Sequence, residues 1–280
     1  MKKILSLFAF VAIVISFAAC GGNDGNVPGG GEEPKATVLG KFSVGEGKQV
    51  YFSQGNLWFS KNPLTMQRDW TFAANQWDTI GSTSMMLYRD LLSWEEINES
   101  PDFDHWTINT VRNGEGYTWR VLSREEWDYL FARRPNAAQL FTYAKVHGVN
   151  GVLLLPDDWN NNNGFDLVYN PLDWEGDEDN GYYYLNNNSI HGNIDFFAFN
   201  TINDRWTALQ NLGAVFLPAA GLRDDEEIWD VGEKGYYWSS TLNEEYEEAY
   251  YVFFSDLMLD IELNDPEYYR YSIRPVRDVE

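Results

Sequence analysis

The chain has 280 residues and carries 20 Lys and Arg against 43 Asp and Glu, a formal net charge of −23. A field of that sign repels phosphate backbones and anionic headgroups, which excludes nucleic acid as a partner. Its one cysteine is Cys20, so residues 21–280 offer no disulfide, no cysteine nucleophile and no thiolate metal site.

Lys2 and Lys3 precede a run from Ile4 to Phe17 that is apolar apart from Ser6 and Ser16, and Ala18-Ala19-Cys20 follows. A basic start, an apolar stretch too short to span a bilayer and small residues at a junction predict an export signal over residues 1–19. Cys20 directly after two alanines resembles the lipobox of bacterial lipoproteins, in which the thiol is acylated and becomes the new N-terminus. Two or more acyl chains, at about 0.8 kcal/mol per buried methylene, would make the membrane a stable partner through the lipid anchor. Loss of Lys2 and Lys3 with the signal takes the charge from −23 to −25.

From Gly21 to Ala36 the sequence is glycine, proline and charge without apolar periodicity, so residues 20–36 read as the lipidated cysteine and a flexible tether. Such a tether holds a domain roughly 20 to 25 Å from its anchor on average. Residues 37–280 are long enough to bury an ordinary core and fit one large domain as easily as two small ones; a single domain over 37–280 is the expectation. Lys48 to Phe59 reads as a strand, a turn at Gly55-Asn56 and a second strand. Leu87 to Ile97 carries a weak helical stripe of Met86, Leu87, Leu91 and Leu92. Tyr117 to Leu122 is strand-like, and Ser123-Arg124-Glu125-Glu126 is a capping box that opens a helix. Trp127, Leu130 and Phe131 form its buried stripe, Arg133 and Arg134 suit its C-terminal dipole, and Pro135 stops it.

Gly151 to Pro156 and Gly213 to Pro218 each place four apolar residues between a glycine and a proline, the pattern of a short strand buried on both faces. Between them a helix is expected from Asp204 to Leu212, capped by Asn203 or Thr201, burying Trp206 and Leu209 and ending at Gly213. Tyr250 to Phe254 is β-prone. Leu257, Leu259, Ile261 and Leu263 alternate with Met258, Asp260 and Glu262, giving one core face and one face for solvent or ligand. A last strand from Arg270 to Val276 would close the sheet, with Arg274 and Arg277 left to pair with the acidic excess.

Several of these phrases together resemble a family. Tyr117 to Phe131, Phe216 to Asp224, Gly235 to Thr241 and Tyr271 to Asp278 are similar to blocks of the formylglycine-generating-enzyme and sulfatase-modifying domains. With Val50 to Phe59 and Asn150 to Trp159 they look like paralogous surface lipoproteins of Gram-negative gut anaerobes that carry this C-type-lectin-like domain. The resemblance implies a C-type-lectin-like α+β fold: two main helices packed on a twisted, mostly antiparallel sheet, with long loops and termini close together. It also implies an exported outer-membrane lipoprotein at the cell surface. The sulfatase-modifying activity needs a cysteine pair that this chain lacks, and fold without site does not give function.

Chemistry is sparse in the residues themselves. His105, His147 and His191 are scattered, and no metalloprotease, nucleophile-elbow or phosphate-loop string occurs. Oxygen-rich loops offer a candidate calcium site at Asp157, Asp158 and Asp166, and a second acidic cluster runs from Asp173 to Asp179. Neither follows EF-hand spacing, and solvated acidic loops are the competing reading. No other cofactor is expected. By resemblance, the stretch between Trp238 and Arg274 looks like the ligand-binding segment of diversified C-type-lectin-like proteins. Its polar positions Asn243, Glu244, Tyr246, Met258, Asp260, Glu262, Asn264, Tyr268 and Tyr269 are the candidate contacts for a protein or glycan ligand. The leading expectation is therefore a non-enzymatic, lipid-anchored binding module. A carbohydrate-active hydrolase using loop carboxylates and a structural subunit of a fimbria-like assembly are the alternatives.

Overall fold

A strand with no polar alternation has no face for water, and the two such strands of this chain lie side by side. The computed structural model describes residues 37–62, 64–65, 67–79, 88–169, 172–175, 182–185, 196–225 and 227–280. The expected signal, Cys20 and the tether lie outside the described residues, as do Met86 and Leu87, most of the second acidic cluster and His191. Val149–Leu154 pairs antiparallel with both Phe141–Val146 and Val215–Pro218, with Gly151 opposite Pro218. A Cβ on Gly151 would sit 2.3 Å from the Leu217 carbonyl and 2.5 Å from the Phe216 ring, so only glycine permits this approach. One face of the sheet joins Val152, Leu154, Val215 and Leu217 to Trp127, Leu130 and Phe131. The other packs Leu153, Leu155 and Phe216 on Trp206 and Leu209. Burial on both faces follows from this double cover.

Around that core the architecture is α+β, short helices packed against antiparallel sheets. The first and last strands meet in one sheet: Lys48–Phe52 lies between Phe42–Gly45 and Val276–Asp278, and the latter continues to Trp119–Arg120 and Thr107–Ile108. Leu57–Lys61 instead pairs with Arg68–Phe72 and Tyr88–Arg89. Thus the expected strand, turn and strand of residues 48–59 is a corner between sheets rather than a hairpin. Gly55 lets the corner close, because a Cβ there would lie 2.5 Å from the Ala73 carbonyl.

Helix α1 spans Trp94–Asn98, where the sequence suggested a helix starting near Leu87; Leu92–Ser93 is a strand instead. Ser93 and Glu96 form a capping box, and Trp94 and Ile97 are buried. Helix α2 spans Arg124–Asp128 and continues as a wider turn over Tyr129–Arg133. Its box is made as expected, with Ser123 Oγ accepting from Glu126 N at 3.3 Å and Ser123 N donating to Glu126 at 3.0 Å. Arg134 does not serve the helix dipole. It is buried, donates to the Leu155 and Leu140 carbonyls at 3.0 Å each, and burial pulls its pKa down to about 10. Helix α3 spans Trp206–Asn211 after a tight turn at Asn203–Arg205, buries Trp206 and Leu209, and ends before Gly213 at φ +88°. Among the described residues no side chain caps it, so the expected role of Asn203 or Thr201 is not fulfilled.

The C-terminal sheet runs in the order Leu172–Glu175, Tyr182–Leu185, Met258–Pro266, Glu248–Phe254, Gly235–Asn243. A bulge between Tyr251 and Phe253 breaks the expected alternation of Leu257 to Leu263. Leu257 stays exposed ahead of the strand, Leu259 and Ile261 are buried, and Asp260 is buried with them. The expected last strand is also divided. Arg270–Tyr271 joins a four-stranded sheet with Leu222–Asp224, Glu227–Trp229 and Leu92–Ser93, while Val276–Asp278 belongs to the terminal sheet. Arg274, between them, is fully buried and donates to Gln76 Oε1 at 2.6 Å and Asn56 Oδ1 at 3.3 Å. Its partners are amides, not the acidic surface.

Candidate functional site

Trp229 shares one face of the four-stranded sheet with Tyr269 and Tyr271 as an aromatic strip, and the strand registers explain why. Leu222 and Trp229 are direct cross-strand partners, so both point to one face of the four-stranded sheet, and alternation puts Asp224 and Glu227 there too. Trp229 remains 53% exposed. On the same face, one strand beyond Leu222, a ring ladder climbs from the core: Trp238 to Tyr271 at 4.2 Å between centroids, Tyr271 to Tyr269 at 6.2 Å, Tyr269 to Tyr268 at 4.9 Å. Trp238 and Tyr271 are buried, whereas Tyr268 is 58% exposed. The ladder carries core rigidity outward to a surface ring.

Acid groups fix the hydroxyls beneath this surface. Tyr271 donates to Asp265 at 2.5 Å and Tyr236 to Asp230 at 2.8 Å, and Lys234 closes on the same Asp230 at 3.0 Å. Burial first, and then the fields of Asp230 and Asp265, push the Tyr236, Tyr251 and Tyr271 phenols well above their ordinary range. These tyrosines act as neutral donors, not as bases. Near Tyr268, burial and the neighbouring carboxylates of Glu95, Glu247 and Glu99 push the Glu267 carboxyl up.

Six of the nine expected contact residues gather at this end of the C-terminal sheet. Asn243, Glu244 and Tyr246 lie at the turn joining Gly235–Asn243 to Glu248–Phe254, with Tyr246 63% exposed. Asn264 pairs with Tyr250, and Glu248 pairs with Pro266 just before Tyr268 and Tyr269. The other three lie elsewhere. Asp260 is only 3% exposed, and its carboxylate accepts from Glu262 N at 2.8 Å, so it forms no part of a contact surface. Glu262 is paired with Arg124 of α2, whose guanidinium also lies 4.7 Å over Tyr250. Met258 sits at the opposite tip, where its carbonyl accepts from Tyr143 at 3.0 Å. Trp229, Leu222 and Asp224 are not among the expected contacts, since only the register brings them to the tyrosines, whereas Asp265, also outside that set, lies just ahead of Tyr268 in the chain.

The candidate calcium residues do not converge. Asp157 accepts from Ser43 N at 3.1 Å, Ser43 Oγ at 2.7 Å, Gln49 Nε2 at 2.8 Å and Arg134 Nη1 at 3.3 Å, which occupies both oxygens in fastening its loop to the first strand pair. Asp158 and Asp166 are exposed, and among the described residues no three His, Cys, Asp or Glu side chains come together as a metal site. A separate open cleft of about 720 Å³ lies between the Gly45–Lys48 turn and α2, with His105 and Arg120 among its lining. Its chief charge is already matched, since Arg120 binds Glu126 at 2.7 and 2.9 Å and Asp278 at 2.7 Å.

Comparison with family models, with curated proteins and with solved structures gives no match. What the strip can do therefore follows from its side chains. Rigid rings with an exposed face, next to hydrogen-bond acceptors, stack and orient a ligand at low entropic cost.

Proposed function

We propose that this chain is a non-catalytic binding module, and more particularly a lipid-anchored module of the bacterial cell surface that holds a protein or glycan ligand on its C-terminal aromatic strip. The observation that carries this reading is the ring ladder from buried Trp238 to exposed Tyr268. Surface tyrosines stacked on a packed core lose little freedom on binding, as in paratopes. The anchoring half of the proposal rests on the basic and apolar start of the chain and on Cys20. A C-type-lectin-like fold is part of the same reading, supported by short helices against antiparallel strands and by pairing of the first and last strands, Val50 opposite Asp278.

The test uses cells displaying the full chain. Replacing Tyr246, Tyr268 and Tyr269 together with alanine is expected to weaken adhesion to envelope or host surfaces roughly tenfold or more, the usual cost of losing aromatic anchors. Unchanged adhesion, or polysaccharide turnover abolished by one Asp or Glu substitution, would replace this reading with another. Mass spectrometry of the mature chain is expected to find Cys20 acylated at the N-terminus.

A further inference from the structure

The strip is charged in one sense only. Asp224 and Asp265 act on the Tyr269 phenol. Beyond Tyr268 the carboxyl of Glu267 faces those of Glu95, Glu247 and Glu99, and Tyr246 adjoins Glu247 in the hairpin turn. The basic groups near it are engaged otherwise: Lys234 with Asp230, Arg270 with Glu96. Arg223 alternates with Leu222 and Asp224 and so points to the other face of its sheet. Bringing like charges together beside apolar rings is unfavourable unless a counter-charge arrives.

Elsewhere the chain caps its own rings with arginine. Arg277 lies 4.5 Å over Tyr51 and 4.2 Å over Tyr117, Arg124 lies 4.7 Å over Tyr250, and Arg205 lies 4.0 Å over Phe165. Among the described residues no Lys or Arg lies over Trp229, Tyr246, Tyr268 or Tyr269. Trp229 and Tyr268, exposed and flanked by the carboxylates of Asp224 and Glu267, are thus left open to a partner.

From this charge complementarity we infer that the strip receives an arginine-bearing segment of a partner protein. Guanidinium planes stack on Trp229 and Tyr268, and their N–H groups fork to Asp224 and Glu267. Arginine suits both requirements at once, since it is planar, weakly hydrated and matched in geometry to carboxylates, while lysine offers only a point charge. A neutral sugar would stack on the same rings and donate hydroxyl hydrogen bonds, yet would leave the facing carboxylates uncompensated. This inference rests on the binding reading above and adds the chemistry of the partner.

The experiment titrates the full chain with a fluorescent oligo-arginine peptide, and with an oligo-lysine peptide of equal length and charge, at physiological salt. Arginine is expected to bind roughly tenfold more tightly than lysine, and the joint change Trp229→Ala and Tyr268→Ala, which alters no charge, is expected to erase that preference. Asp224→Asn with Glu267→Gln is expected to weaken the arginine peptide markedly. Asp158→Asn with Asp166→Asn, which removes the same charge from another loop, is expected to leave the preference intact. Unchanged thermal unfolding of each variant shows that the fold survives. Equal affinity for the two peptides, or a preference untouched by the ring substitutions, overturns the inference. If the ring substitutions abolish adhesion or binding to a neutral glycan while the arginine peptide shows no preference, the cationic partner falls and the binding reading stands. If neither adhesion nor peptide binding responds to them, both fall.

Discussion

The central three-stranded sheet and the C-terminal tyrosine ladder bury large side chains by different means. In the first, Val152 to Leu155 and Ala214 to Leu217 are fully enclosed hydrocarbon, and the strands carry no polar side chain that needs a partner along these runs. In the second, Tyr236, Tyr251 and Tyr271 are buried as well, but each hydroxyl must find an acceptor, and Asp230 and Asp265 supply it. The difference shows where the molecule keeps its freedom. A hydrocarbon layer covered on both sides is committed to stability, while a ladder with polar tips can extend to the surface and end in exposed rings.

The sharpest way to break the comparison is to empty the first region. Phe216→Ala removes a ring packed between Trp206 and the neighbouring strand, and is expected to cost about 3–5 kcal/mol in denaturant unfolding. A loss under about 1 kcal/mol would mean that stability resides elsewhere. Next in size, Ser123→Ala opens one half of the α2 capping box and is expected to cost about 1 kcal/mol. Much of that helix was legible from sequence, and this substitution tests whether its local signal also contributes to stability.

A third prediction concerns sign rather than size. Burial raises the Asp260 carboxyl, so the folded state holds that proton more tightly than the unfolded chain does. Its charge therefore costs stability above the folded pKa, and the cost disappears as pH falls through that value. Asp260→Asn, which can keep an oxygen toward Glu262 N, is expected to raise the melting temperature at neutral pH and to lose that advantage in acid. Glu96 is the opposite case. Burial raises it, but Arg270 and Arg89 outweigh burial and hold it below the ordinary range, so its contribution is present above the unfolded pKa and is lost as pH falls through the folded one. Smallest in stability, Tyr246→Ala and Tyr268→Ala are each expected to shift unfolding by no more than about 0.5 kcal/mol, because both rings are mostly in water. Their effect belongs in binding, and a large stability loss would place these rings with the core instead.

Legibility followed the range of the interactions. The Ser123 box, the stripe of Trp127, Leu130 and Phe131, and the two apolar strands were readable because each signal is complete within a few residues. The box at Ser93 and Glu96 is just as local, yet the apolar residues Leu91 and Leu92 ahead of it mimic a helical stripe that starts several residues earlier. The alternation of Leu257 to Leu263 misled for another reason: the bulge that turns Asp260 inward depends on the register of the neighbouring strand. Half of the candidate surface was visible as a run of tyrosines and acids, and the other half, Trp229 and Asp224, lies some forty residues away in sequence from Tyr268.

By itself the sequence determined the helix opened by Ser123, the principal buried stripes and the acidic, aromatic nature of the C-terminal half, because these follow from local periodicity and composition. Only the tertiary structure decided that Arg274 is sealed among amides, that Asp157 is a structural acceptor, and that Trp229 shares a face with the tyrosine ladder. Whether a charge meets water, a carboxylate or an amide depends on which distant strand folds against it, and no span of neighbouring residues encodes that.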